Sequence, residues 1–304
     1  MHVRVATRGS LLALTQTGWL VDRLREANPG TEFELITFKT VGDKVLDVAL
    51  SQIGGKGLFT KELEDALLAG EADIAVHSLK DMPTEQPEGL VLACTPPRED
   101  PRDVVITPDG TKFMDLAPGT KVGTSSLRRL AQLRAVRPDL EYVSIRGNVD
   151  TRLRKLMEGQ VGALIMAAAG FHRTGLAGRI TEYLNPESCL PAPGQGALAV
   201  EIRSADAAIG EMVAKVHDAA TATAVTAERA LLGRLQGGCQ VPIGAYAKVA
   251  DGRIHLEGLI ASTDGARVIR HSAVGAESEA QALGEDLALW LLENGGREIL
   301  EGLR

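Results

Sequence analysis

Aromatic side chains make up only 3% of this 304-residue chain, so the stacking platforms on which RNA and single-strand binders hold bases are scarce. Excess positive charge is missing too. Against 33 Lys and Arg stand 40 Asp and Glu, a formal charge of −7, and no nucleic-acid partner is expected. No apolar run approaches the ~18 residues of a membrane span, so no membrane partner is expected either. The opening Met1-His2-Val3-Arg4-Val5-Ala6 enters a strand pattern with no signal-peptide core. Cysteine is sparse: Cys94, Cys189 and Cys239 lie far apart and form no CxxC, which fits a reducing, cytoplasmic setting better than a disulfide framework. The six histidines are scattered, with no HxxxH and no Cys/His cluster, so no metal site is expected.

What is present is a soluble-type composition, 44% hydrophobic and 24% charged, long enough for two or three domains. Within it, arginine is concentrated. Residues 128, 129, 134, 137, 146, 152 and 154 are all arginine, against only Asp139, Glu141 and Asp150 in the same stretch. Arg134 and Arg137 read as a solvated helix face. The others point to an anionic ligand, because guanidinium pairs bidentately with carboxylate or phosphate. A second unusual stretch is Leu235–Gly244, where Cys239 follows Gly237 and Gly238 and precedes Pro242. The glycines end a helix and Pro242 prevents its resumption, leaving the thiol on a constrained loop with small neighbours. A free cysteine is commonly just a small buried hydrophobe, so the rest of the chain must decide its role.

In order, Val3–Ala6 reads as a buried strand, and Ser10 caps an apolar-periodic helix that Asn28-Pro29-Gly30 stops. Strand, polar turn and helix N-terminus make an anion seat with Arg8 at its mouth. Phe33–Thr40 is a second strand, and Val41–Gly57 a long mobile loop or lid. Its Gly54-Gly55-Lys56-Gly57 lacks the earlier glycine and the following Ser/Thr of a phosphate loop. Leu58–Ala69 predicts a helix, and Asp73–His77 a strand that leads into His77-Ser78-Leu79-Lys80-Asp81. In extended chain Lys80 and Asp81 would point to opposite sides. After a linker at Pro96–Pro101 the pattern restarts. Val122–Arg129 repeats the strand–polar turn–helix device of Val5–Leu11, followed by strands Tyr142–Ile145 and Ala163–Ala168 around a helix bearing Arg152 and Arg154. Leu190–Gly196 reads as a hinge returning the chain to the first lobe through strand Ala197–Ile202. Helix Ala219–Leu235 then delivers Cys239 to a small domain of three strands (Ala245–Val249, Ile254–Ile260, Arg267–Ala273) and helix Ser278–Glu293. The expected architecture is α/β: two similar lobes, 1–96 with 197–216 and 102–190, plus a C-terminal α+β domain, 219–304.

Together, Ala6-Thr7-Arg8, Gly54-Gly55-Lys56-Gly57-Leu58-Phe59, His77-Ser78-Leu79-Lys80-Asp81, Gly123-Thr124-Ser125-Ser126-Leu127-Arg128-Arg129, Arg146-Gly147-Asn148-Val149-Asp150-Thr151-Arg152, Pro193-Gly194-Gln195-Gly196 and Gly237-Gly238-Cys239-Gln240-Val241-Pro242 resemble, in order and over essentially the whole chain, the porphobilinogen deaminase (hydroxymethylbilane synthase) family. The resemblance implies lobes of the periplasmic-binding-protein type and a cytoplasmic, monomeric transferase of porphyrin biosynthesis. Such an enzyme joins four porphobilinogen molecules head to tail, with loss of ammonia, on a dipyrromethane cofactor held by thioether to a loop cysteine. That cysteine is Cys239 here. The resemblance gives Asp81 the stabilisation of cationic pyrrole intermediates. Lys80, Asp81, Thr124, Ser125, Ser126, Arg128 and Arg129 it assigns to the cofactor. Arg8, Ser10, Gln16, Lys56, Phe59, Arg146, Arg152, Arg173 and Gln195 it assigns to substrate or chain. Three positions depart from the family pattern: Leu11 replaces a common proline, Gln52 a second lid lysine, and Phe171-His172 a more basic pair before Arg173.

Two other classes compete. A two-lobed anion carrier would share the lobes but has no use for a glycine-framed cysteine on a third domain. A cysteine hydrolase would pair Cys239 with His77, yet needs no arginine-lined cleft. A bound pyrrole chromophore, pink-red with the acidic aldehyde reagent for pyrroles, separates the transferase from both.

Overall fold

A computed structural model describes residues 1–44, 57–236 and 241–303. Lys56 and Cys239, and most of the expected lid with Gln52, lie outside the described residues.

Short apolar runs build two sheets of one pattern. In the first, β1 (His2–Arg8) lies parallel between β2 (Glu32–Phe38) and β3 (Ile74–Ser78). Here β10 (Leu198–Arg203) runs antiparallel between β3 and β4 (Leu90–Cys94). In the second, β6 (Lys121–Gly123) lies parallel between β7 (Glu141–Val143) and β8 (Ala163–Ala167). There β5 (Asp103–Ile106) runs antiparallel between β8 and β9 (Glu182–Tyr183). Each lobe thus receives its antiparallel fourth strand from chain that has just crossed over. The repeated device read in the sequence lies at the C-terminal ends of β1 and β6, the matching second strands of the two sheets. The third unit is an antiparallel meander, β11 (Ile243–Ala250), β12 (Arg253–Ala261) and β13 (Val268–Ala276). Helices Ala219–Arg234 and Ala280–Leu291 cover it, with Ala227, Leu231, Leu256, Leu287 and Leu291 in the shared core.

Ser10 caps its helix as the sequence predicts, and the structure adds Ser126 and Asn148: each accepts from the backbone N–H three residues on, each such cap contributing ~1 kcal/mol. Elsewhere the structure differs. The helix expected from Leu58 begins at Lys61, because Gly57, at φ +83°, turns the chain so that Thr60 and Lys61 both donate to its carbonyl. Val41–Lys44 is one helical turn rather than loop. Lys80 and Asp81 are not extended: Leu79–Asp81 forms a 3₁₀ turn ahead of Pro83. The last long helix stops at Leu291, where Gly295 at φ +108° breaks the run before a short helix at Arg297–Glu301.

The two crossing segments run side by side. Glu99 N–H donates to the Gly196 carbonyl and Arg98 Nε to the Gln195 carbonyl. Arg98 then pairs with both oxygens of Glu228 (2.6 and 3.1 Å), a fully buried carboxylate on the helix Ala219–Arg234. Glu228 also accepts from Gly194 N–H and Ala247 N–H. One acid therefore ties both crossings to the third unit.

Candidate active site

The polar ends of β1 and β3 meet. Arg8 lies over the Phe59 ring at 4.3 Å. A cavity opens there, lined among others by Arg8, Gln16, Phe59, His77, Ser78 and Asp81. Gln16 is buried and accepts from Ser78 Oγ at 3.1 Å. Ser10 uses its oxygen as a helix cap, accepting from Ala13 N–H at 3.3 Å. Arg8, Gln16, Phe59 and Asp81 thus converge from widely separated segments on one cavity, and Ser10 serves as a helix cap.

Lys80 faces away from this cavity and donates to Gln195 Oε1 at 3.2 Å. The buried Gln195 in turn donates to Asp103 (2.9 Å) and to the Pro101 carbonyl. Asp103 is the hub: it receives Arg128 (2.6 Å), two donors of Arg129 (2.9 and 2.7 Å) and the Cys189 thiol. Burial opposes ionisation of Asp103, but the two arginines outweigh it and hold the carboxyl well below the usual carboxylate range. Burial, reinforced by Arg129, lowers Lys80 to about 8 despite the attraction of Asp81 and Asp103. The cofactor-assigned Lys80, Arg128 and Arg129 are therefore brought together, but around an acid the sequence reading missed. Asp103 heads an apolar strand next to the linker. A carboxylate at that buried strand start, in a chain with an adjacent arginine pair, was the available signal.

In the second lobe Thr124, Ser125 and Ser126 form the polar turn. Thr124 Oγ1 accepts from Ser126 N–H (3.2 Å), and Ser125 Oγ donates to the Ile145 carbonyl. Arg152 is held by the Gly147 carbonyl (2.8 Å) and Arg173 by the Gly196 carbonyl (2.8 Å), neutral acceptors rather than acids. Burial pulls both guanidiniums down to about 10, and Arg129 and Arg146 repel the Arg152 charge further. Arg146 Nη1 and Arg128 Nε are buried with no hydrogen-bond partner among the described residues. Unpartnered buried donors among crowded cations are what a polycarboxylate would complete, so the residues present fit an anionic group such as dipyrromethane.

Two arginine readings need correction. Arg137 is not solvated. It is 9% exposed, pairs with Asp139, and caps the carbonyls of Phe113, Met114 and Leu116. Arg154, grouped with the anion-facing arginines, instead pairs at the exposed surface with Glu158. Arg134 stays partly exposed, reaching the Thr263 carbonyl.

The chain is similar to known proteins over nearly its whole length. The family model "Porphobilinogen deaminase, dipyromethane cofactor binding domain" matches residues 3–211, and "Porphobilinogen deaminase, C-terminal domain" matches 222–293. The chain is 51% identical to a porphobilinogen deaminase of Syntrophobacter fumaroxidans, over 98% of this chain and 97% of the relative. It is 54% identical to that of Geobacter sulfurreducens, over 98% and 94% respectively. Among solved structures, the methionine binding protein MetQ covers 71% of this chain and 88% of its own at 16% identity and TM-score 0.45.

Proposed function

The chain belongs to the porphobilinogen deaminase family, transferases that build hydroxymethylbilane from four porphobilinogen molecules, and from that premise we propose roles for its residues. Asp81 is the catalytic carboxylate. Loss of ammonia from porphobilinogen leaves a cationic azafulvene, and a fixed anion in a water-poor cavity lowers the barrier to forming it. The observation that carries this is convergence: Asp81 lines one cavity with Arg8, Gln16 and Phe59, so an anion sits where basic and polar groups can hold a ring's carboxylates.

When bound, dipyrromethane supplies the nucleophilic pyrrole carbon on which the chain is primed. Cys239 holds it as a thioether, and Lys80, Thr124, Ser125, Ser126, Arg128 and Arg129 orient its carboxylates. Arg8, Ser10, Gln16, Lys56, Phe59, Arg146, Arg152, Arg173 and Gln195 hold substrate and the growing chain, supported for Arg146 by its open buried donor. The domain division is 1–96 with 197–216, 102–190 and 219–304; the seat of β10 inside the first sheet supports it. A cytoplasmic monomer is the expected state. The unpaired, buried Cys94 and Cys189 fit a reducing compartment, and sedimentation tests the oligomeric state.

Asp81→Asn keeps the shape and removes the charge. It should fold normally and lose turnover by on the order of 10²–10³-fold, whereas near-normal turnover refutes the role. Intact mass, with Cys239→Ser beside it, tests the attachment. An excess of two deaminated porphobilinogen units that vanishes in the variant assigns the cofactor to Cys239. An excess that persists places it elsewhere.

A further inference from the structure

Behind the Asp81 cavity lies a buried acid–imidazole cluster to which the roles above give no task. Ala75 and His77 share a face of β3. On that face Ala75 packs with Leu63, Ala66 and Leu67 of the helix Lys61–Leu68. The antiparallel register sets Glu201 of β10 opposite Ala75, on the same face. There Glu201, fully buried, meets His77 Nε2 at 3.1 Å. Glu64 arrives from the helix above and is also buried. Glu201 Oε1, Glu64 Oε1 and Thr60 Oγ1 are buried oxygens without a hydrogen-bond partner among the described residues.

Two carboxylates buried against the inner side of this helix, one of them paired with an imidazole, are costly to bury as two bare anions. Burial, with Glu201 adding to it, raises Glu64 above the usual carboxylate range against the opposing pull of Thr60 and His77. His77 and Thr60 both line the cavity that Asp81 lines, so the cluster is in reach of whatever reacts there.

We propose that His77, held by Glu201 and backed by Glu64, accepts the ring proton released at each coupling. This rests on the porphobilinogen reading above. The C–N bond of the substrate breaks and its electron pair leaves with ammonia. A carbon–carbon bond then forms from the free α-carbon of the chain's last pyrrole to the substrate methylene. The C–H bond at that α-carbon breaks, its electron pair restores the ring, and the proton passes to imidazole. Glu201 stabilises the imidazolium, and the proton departs with the ammonia as ammonium, returning the cluster to its starting charge. Glu201 and Glu64 are positioning residues in this scheme. Asp81 keeps its role on the cation, so one carboxylate need not both stabilise a charge and remove a proton.

The test uses porphobilinogen deuterated at its free α-carbon, with the holoenzyme and His77→Gln. The variant should lose kcat by on the order of 10²–10⁴-fold with little change in KM. C–H cleavage should also become rate-limiting, so that a primary isotope effect larger than in the parent appears. A rate loss with an unchanged isotope effect, or no rate loss, overturns the proposal. Glu201→Gln, which keeps the hydrogen bond but not the anion, should show the same isotope signature more weakly and serves where His77→Gln fails to fold. Parent protein inactive on porphobilinogen would sink the underlying reading instead, so the two failures are distinct.

Discussion

Arg137 and Arg146 carry the same charge on neighbouring segments and meet opposite surroundings. Arg137 commits its donors to Asp139 and three backbone carbonyls, whereas Arg146 keeps a buried nitrogen unpartnered. Arg137→Leu should therefore cost roughly 1–3 kcal/mol of stability with porphobilinogen affinity nearly unchanged. Arg146→Leu should leave the melting temperature in place and weaken substrate binding; thermal melts beside KM measurements separate them. Lys80 gives a second residue-scale expectation. Its ammonium titrates near 8 in the fold against an ordinary 10.5, so the folded chain holds that proton less tightly than the unfolded one. Below pH 8 both states are charged and the burial penalty is fully felt. Stability then gains as pH rises from about 8 towards 10.5. Lys80→Met should abolish that gain, read as the change in melting temperature across this window in apoprotein.

At the scale of elements, the crossing segments are where sequence and structure agree most usefully. Leu190–Gly196 reads as a hinge because proline and glycine alternate there, and the structure shows why one glycine is required. Gly196 has φ +88°, and a Cβ on it would stand 2.3 Å from the Glu99 carbonyl oxygen. Gly196→Ala should thus push the crossings apart, disturbing Arg173 and Gln195, which bond to or next to this segment. A marked loss of both stability and turnover is expected, and a variant with parental melting temperature and rate would disprove the close approach. The 3₁₀ turn at Leu79–Asp81 was not legible. Strand residues run straight into Pro83, and only the turn's own hydrogen bond, from Met82 N–H to the Leu79 carbonyl, bends the chain so that Lys80 and Asp81 serve different neighbours.

For the whole molecule, the decisive contact is Glu228, where Arg98, Gly194 and Ala247 bring both crossings and the third unit to one carboxylate. Removing one partner of a buried ion pair typically costs ~3–5 kcal/mol. Glu228→Leu should therefore destabilise the chain by about that much, and calorimetry should show a broader or split transition than in the parent as the units uncouple. A sharp, unshifted transition would mean that the junction does not hold them together.

By itself the sequence determined most of the strands and long helices, the cap at Ser10, the repeated strand–turn–helix device, and the family, since each is written in local spacing or in ordered motifs. It also carried an unread signal: Glu228 lies on the buried stripe of its helix with Thr221, Ala224, Val225 and Leu231. Only the tertiary structure decided which charges stand free and which are taken. Asp103 gathers Arg128 and Arg129 from one distant segment and Gln195 from another, and Glu201 reaches His77 across a strand pairing that spans the crossing. Ion pairing depends on distance and burial, and neither is set by neighbours along the chain.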